Sequence, residues 1–136
     1  MNKPILRRPA SLREVAAESQ TYREFGYNLK DFFHKFALAR ERQRPLAPMV
    51  SAEPTHLAKR FAQGAICDAF VAATADYLAR SNRFRTPAWA LRRARVLAKP
   101  WFSEEFPEVR LLLLRDTPSA FKDKNLFVFA SALKVA

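Results

Sequence analysis

Glycine and cysteine are scarce in this sequence. Of 136 residues, only 2 are glycine and 1 is cysteine. With so few glycines, the tight turns of a many-stranded β protein are hard to build. A single cysteine excludes an internal disulfide and a cysteine-based metal cluster. The 9 prolines must therefore provide most of the breaks between helices. The predicted fold class is all-α.

Long apolar runs and a secretory signal are also lacking. The longest leucine run is Leu111 to Leu114, far short of a membrane-spanning helix. The N-terminus is charged, and from Ser11 onward the pattern is amphipathic rather than continuously apolar. These features predict a cytoplasmic protein without membrane association.

No set of residues predicts catalysis. His34 and His56 lie on different predicted elements, and neither begins a metal-ligand spacing. Cys67 sits beside the apolar Ile66 and Phe70 on a long helix, which favours a buried inert thiol over a nucleophile. We therefore expect no enzymatic activity, no metal ion and no cofactor.

Positive charge is present in large excess. The formal net charge is +11, and the stretch from Arg80 to Lys99 contains no acidic residue. Such a field attracts nucleic acid, an acidic protein surface or anionic lipid. A solvated basic face without a dedicated partner explains the same composition.

The chain divides into a flexible basic arm, residues 1–10, and a single helical domain, residues 11–136. Ser11 with Glu14, and Thr21 with Glu24, have the spacing of capping boxes at two helix starts. The second helix then shows an aromatic face at spacings of three and four, which indicates a core-facing surface. Its residues are Phe25, Leu29, Phe32, Phe33 and Phe36.

Residues 40–54 are predicted to form a loop, because three prolines interrupt them. A long helix is then expected from a cap at Thr55 to about Ser81, and its many alanines would let other helices approach closely. This central helix, near residues 55–80, is expected to organise the core. Gly64 within it suits a close crossing of backbones.

Short helices separated by prolines are predicted after residue 86. Thr86-Pro87 and Thr117-Pro118 each place a capping side chain before a proline at the first helical position. Helices are expected from Pro87 to about Lys99, from about Pro107 to Arg115, and from Pro118. Large aromatic residues beside these corners are predicted core anchors: Trp89, Trp101, Phe102, Phe121 and Phe127.

On a helix that begins at Pro87, Arg92, Arg95 and Lys99 would share one side, with Arg93 on the neighbouring stripe. This basic rail is the candidate binding surface, and further candidates are Arg85, Arg7 and Arg8. It would contact either phosphates or the carboxylates of a protein partner. No helix-turn-helix pattern is present.

Four short motifs carry a family resemblance: Pro87-Ala88-Trp89, Pro100-Trp101-Phe102, Thr117-Pro118-Ser119-Ala120-Phe121 and Asn125-Leu126-Phe127-Val128. With these motifs, residues 60–136 resemble a group of small bacterial proteins that are often encoded beside nucleotidyltransferase-like toxins of the abortive-infection type. The resemblance implies an antitoxin that binds and neutralises such a toxin. The alternative is a basic nucleic-acid-binding or regulatory module, and the oligomeric state stays open.

Overall fold

The computed structural model describes residues 9–133 of the chain. Within them the protein is an all-α domain, as the sequence predicts. The proposed basic arm lies outside the described residues as far as residue 8, whereas Pro9 is buried. Six α-helices occur in the described part: α1 (Leu12–Ala17), α2 (Tyr22–Glu41), α3 (Pro48–Ser51), α4 (Gly64–Asn82), α5 (Pro107–Asp116) and α6 (Ser119–Lys122).

The two predicted N-terminal caps are confirmed. The Ser11 side chain accepts a hydrogen bond from the Glu14 backbone N–H at 3.2 Å. The Thr21 side chain accepts one from the Glu24 N–H at 3.1 Å. Helices α1 and α2 pack against each other, and the predicted aromatic face of α2 is buried in the core: Phe25, Leu29, Phe32, Phe33 and Phe36.

The central helix was predicted to begin at Thr55, and this is wrong. Helix α4 begins at Gly64, and the preceding residues are irregular apart from the short helix α3. The reason is the buried carboxylate of Asp68, which accepts hydrogen bonds from the backbone N–H groups of Leu57 at 2.6 Å and Ala58 at 3.1 Å. These amides are therefore satisfied without helix formation.

Helix α4 is nevertheless the centre of the domain. It packs against α2, against α6 and against the turns that follow residue 87. Most of its residues are buried, including the run from Val71 to Asp76. The small alanine side chains of this helix allow neighbouring elements to approach closely, as predicted.

A single helix from Pro87 to Lys99 was also predicted wrongly. Two 3₁₀ turns, Ala88–Leu91 and Arg93–Arg95, are separated by Arg92 in an extended conformation. The Thr86 hydroxyl donates to Asp76 Oδ1 at 2.8 Å instead of capping a helix. The Thr117 hydroxyl donates to the Leu113 carbonyl at 2.6 Å. Both threonines thus serve the preceding helix, and neither caps the following one.

The C-terminal third agrees better with the sequence. Helix α5 is confirmed, and α6 begins one residue after Pro118. Two short strands, β1 (Trp101–Phe102) and β2 (Leu126–Phe127), pair in parallel. This pairing ties the segment before α5 to the segment after α6.

The five predicted aromatic anchors differ in burial. Trp89 and Phe121 are buried, and the Trp89 indole N–H donates to the Val50 carbonyl at 3.0 Å. Trp101 is half-buried and packs against the core. Phe102 and Phe127 are half-buried and stack on each other at 4.7 Å between ring centroids. The strand pair therefore holds a surface aromatic pair rather than two core side chains.

None of the helices in residues 9–133 combines the length and the apolar character that crossing a membrane requires.

Candidate interaction surface

Arg95 is the predicted binding residue whose position differs most from expectation. Its side chain is completely buried. The guanidinium donates to the Pro54 carbonyl at 2.6 Å and to the Glu53 carboxylate at 3.2 Å, and it lies 5.0 Å from the centre of the Trp89 ring. A buried arginine with these partners is a structural cross-link and cannot contact a ligand at the surface.

Arg95 is one of several side chains that hold residues 50–60, here called the clamped segment. Trp89 binds the carbonyl of Val50, and Asp68 binds amides further along the segment. At its end, the Arg60 guanidinium donates to the carbonyls of Ala16 and Ser19 at 2.9 and 2.8 Å. Beyond the end of α3 the clamped segment is irregular in backbone, and these hydrogen bonds fix it against the domain while Val50, Pro54 and Leu57 are buried.

The remaining basic candidates do not form the predicted rail. Arg92 is 60% exposed in its side chain, and its guanidinium lies 2.7 Å from Glu53 Oε1. Arg85, Arg93 and Lys99 are exposed, but they lie on separate turns rather than on one helix face. Arg7 and Arg8 fall outside the described residues. The structure therefore offers individual exposed cations in place of a continuous stripe.

Glu53 binds both Arg92 and Arg95. Burial acts to raise the pKa of Glu53, but the hydrogen bond from Arg95 and the positive charges of Arg92 and Arg95 together hold it below its ordinary value. Glu53 is therefore ionised at neutral pH and neutralises part of the predicted basic surface. The attraction of this region for polyanions is weaker than the sequence count implies.

The most prominent surface feature was not predicted as a site. Helix α5 buries Leu113, whereas Leu111, Leu112 and Leu114 are 68%, 42% and 46% exposed. Phe106, the residue before the helix, is 69% exposed. We call these four exposed side chains the α5 apolar patch. Several exposed apolar side chains on one short helix make α5 a candidate protein interface.

A signal for this patch was present in the sequence. Four consecutive leucines occupy almost every direction around a helix, because successive residues are rotated by about 100°. A helix at the surface of a domain buries only one stripe of its circumference, so some of the four must face outwards. A helix that is apolar on all sides is ordinarily covered on all sides.

The edges of the patch are ordered by side-chain contacts. The Arg110 guanidinium lies 4.8 Å from the centre of the Phe102 ring, and that ring stacks on Phe127. At the C-terminal end, Arg115 Nε lies 2.7 Å from Asp116 Oδ1. The patch thus sits on a helix anchored by Leu113 and bordered by charged groups, which is the usual composition of an interface core and rim.

The side chains that could take part in catalysis or bind a metal ion are poorly placed to do so. Cys67 is buried, and burial raises the pKa of its thiol to about 12, with a smaller contribution from Asp68. His56 Nδ1 lies 3.4 Å from Asp68 Oδ2, a carboxylate already engaged by backbone amides. Across residues 9–133, no three side chains of histidine, cysteine, aspartate or glutamate are grouped to hold a metal ion.

Comparison with protein-family models, with curated proteins and with solved structures gave no match for this chain.

Proposed function

We propose that this protein is an antitoxin-like binding protein that uses the α5 apolar patch to bind and neutralise a nucleotidyltransferase-like toxin. The observation that supports a protein partner most directly is the exposure of Leu111, Leu112 and Leu114 on a short helix. The resemblance of residues 60–136 to antitoxin-like proteins suggests the class of partner. The proposal combines these two sources.

The patch is large enough to stabilise a complex. Complete burial of a leucine or phenylalanine side chain contributes roughly 1.5–3 kcal/mol. Since each of the four side chains is about half exposed or more, covering them would contribute on the order of 4 kcal/mol in total. This is a gross gain, from which the entropic cost of association is subtracted before any affinity results.

Charge supports the same partner class. A nucleotidyltransferase holds its metal ions with carboxylates, so the entrance to its active site is electronegative. Arg85, Arg93 and Lys99 are exposed and would be attracted to such an entrance. Exposed charges of this kind accelerate association, while the apolar patch determines the lifetime of the complex. Buried Arg95 has no part in this contact.

Co-purification with the product of an adjacent nucleotidyltransferase-like gene tests the proposal. Leu111→Glu with Leu114→Glu alters two exposed positions one helical turn apart, so the domain should fold while the complex weakens by at least tenfold. Tyr27→Glu is the control, because Tyr27 is 58% exposed and lies in α2, outside both α5 and the basic turns. Equal binding by the double variant, or equal loss in the control, contradicts the role of the patch.

The alternative function is binding of nucleic acid, and the net charge of +11 favours it. This alternative predicts affinity for DNA or RNA that falls linearly with salt on logarithmic axes. Charge reversal at Arg85, Arg93 and Lys99 should then abolish binding, and the α5 variants should have no effect. Tight salt-sensitive binding of nucleic acid, together with no complex with the toxin-like protein, would replace the antitoxin proposal.

A further inference from the structure

A second surface feature lies at the C-terminal end of α2. It is a groove of about 520 Å³ between the last two turns of α2 and the residues that lead into α3. This volume falls within the usual range of ligand sites. Its lining residues are Ala10, Lys35, Leu38, Ala39, Arg42, Arg44, Pro45, Pro48 and Met49.

The polar rim of the groove is entirely cationic. Lys35, Arg42 and Arg44 line it, and no acidic residue is among the lining residues. None of these three cations takes part in an ion pair with another residue of the described part. The end of α2 contributes about half a negative charge from its helix dipole, which three cations outweigh.

The floor of the groove is apolar. Leu38 is 41% exposed, and Met49 is half-buried beside it. The wall is formed by the helix end itself, where Gln43 has a left-handed backbone conformation (φ 55°). The Arg44 N–H then donates to the Ala39 carbonyl at 2.9 Å. This capping arrangement is fully hydrogen-bonded, so the groove is a built feature of the fold.

We propose that the groove binds an acidic amphipathic peptide segment of a protein partner. Carboxylates of the peptide would pair with Arg42, Arg44 and Lys35, and an apolar side chain of the peptide would cover Leu38 and Met49. Guanidinium groups are well suited to bind carboxylates through two hydrogen bonds. A nucleic-acid strand would meet the cations but would find no aromatic side chain among the described lining residues on which to stack its bases, so the peptide fits the groove better.

The groove and the α5 apolar patch share no residue, so this proposal does not depend on the toxin partner. Direct titration of the full chain with three labelled probes tests it. The first is a fluorescein-labelled peptide of glutamate, leucine and alanine. The second is the same peptide with glutamine at every glutamate, and the third is a labelled oligo-thymidine.

We expect the glutamate peptide to bind and the other two probes to bind at least tenfold more weakly. Arg42→Gln with Arg44→Gln should weaken the glutamate peptide by about two- to thirtyfold, the range for two solvent-exposed ion pairs. Lys59→Gln with Arg83→Gln is the matched control, because both residues are exposed and lie outside the groove. This control should bind normally. Leu38→Gln should weaken the peptide without changing the net charge.

Three results would overturn the proposal. Equal weakening by the control pair would show a general charge effect rather than a site. Equal binding of the glutamine peptide would remove the role of the cations. Tighter binding of oligo-thymidine than of the glutamate peptide would assign the cations to nucleic acid. Loss of toxin binding in the α5 variants with peptide binding retained separates this proposal from the antitoxin function.

Discussion

Replacement of Gly64 by alanine should destabilise the protein strongly. Gly64 is the first residue of α4, and the backbone of residues 57–58 passes directly over it. A Cβ atom at this position would overlap the carbonyl of Leu57 and lie 2.7 Å from the Cα of Ala58. Because these neighbours are backbone atoms, no side-chain rotation can relieve the overlap, and the clamped segment must move.

The cost follows from what holds that backbone. The amides of Leu57 and Ala58 donate to the buried Asp68 carboxylate at 2.6 and 3.1 Å. Losing one such charged hydrogen bond costs about 1.5–3 kcal/mol, and overpacking adds about 1–3 kcal/mol. Alanine in place of glycine in a helix returns about 1 kcal/mol. We therefore expect Gly64→Ala to lower the free energy of unfolding by about 2–5 kcal/mol.

Gly26→Ala is the matched control, because a Cβ there meets no heavy atom within 4 Å. Gly26 lies in α2, so alanine should raise the free energy of unfolding by up to about 1 kcal/mol. Urea unfolding followed by circular dichroism measures both variants. A Gly64→Ala protein as stable as the unaltered chain would refute the reasoning.

Three further predictions use the same assay. Arg95→Ala should lower the free energy of unfolding by about 1–3 kcal/mol, because the buried Pro54 carbonyl loses its donor while Glu53 keeps Arg92; exposed Arg93→Ala should change it by no more than about 0.5 kcal/mol. Trp89→Ala should lower the free energy of unfolding by about 3–5 kcal/mol, because Trp89 is buried. Trp101→Ala should lower it less, because Trp101 is only half-buried. Equal losses in the two variants would contradict this prediction. Cys67 should resist a thiol reagent until the protein unfolds. Burial raises the pKa of Cys67 to about 12. The contribution of the neutral thiol to stability is therefore complete below the ordinary thiol pKa near 9 and is lost as the pH rises towards 12. Cys67→Ala should flatten this alkaline decline in the free energy of unfolding.

Local chemistry explains which parts of the fold the sequence predicts. The caps at Ser11 and Thr21, and the period of the α2 aromatic residues, need only neighbours within one or two helical turns. These features were predicted correctly, as was the start of α5 at Pro107. Each depends on interactions whose partners lie close by in the sequence.

The errors arise where distant side chains compete for the backbone. Residues 55–63 have a helical pattern, but Asp68 and Arg60 bind backbone groups that a helix or solvent would otherwise satisfy. Thr86 is spaced as a cap, yet its hydroxyl binds Asp76, ten residues earlier. The spacing of Thr86 along the chain does not show whether its hydroxyl will bind the following helix or a residue of the preceding one. Tertiary contacts therefore decide these positions.

The exposed surface differs from the sequence-based expectation at two places. Arg95 was expected outside and is buried, because the Trp89 ring, the Pro54 carbonyl and Glu53 together satisfy its charge. Leu111, Leu112 and Leu114 of α5 were not predicted as a site, and they are exposed. A completely buried arginine is out of reach of a partner molecule. Exposed leucines on an anchored helix remain in contact with water until a partner covers them, so α5 rather than the arginine stretch is the surface on which binding should be tested first.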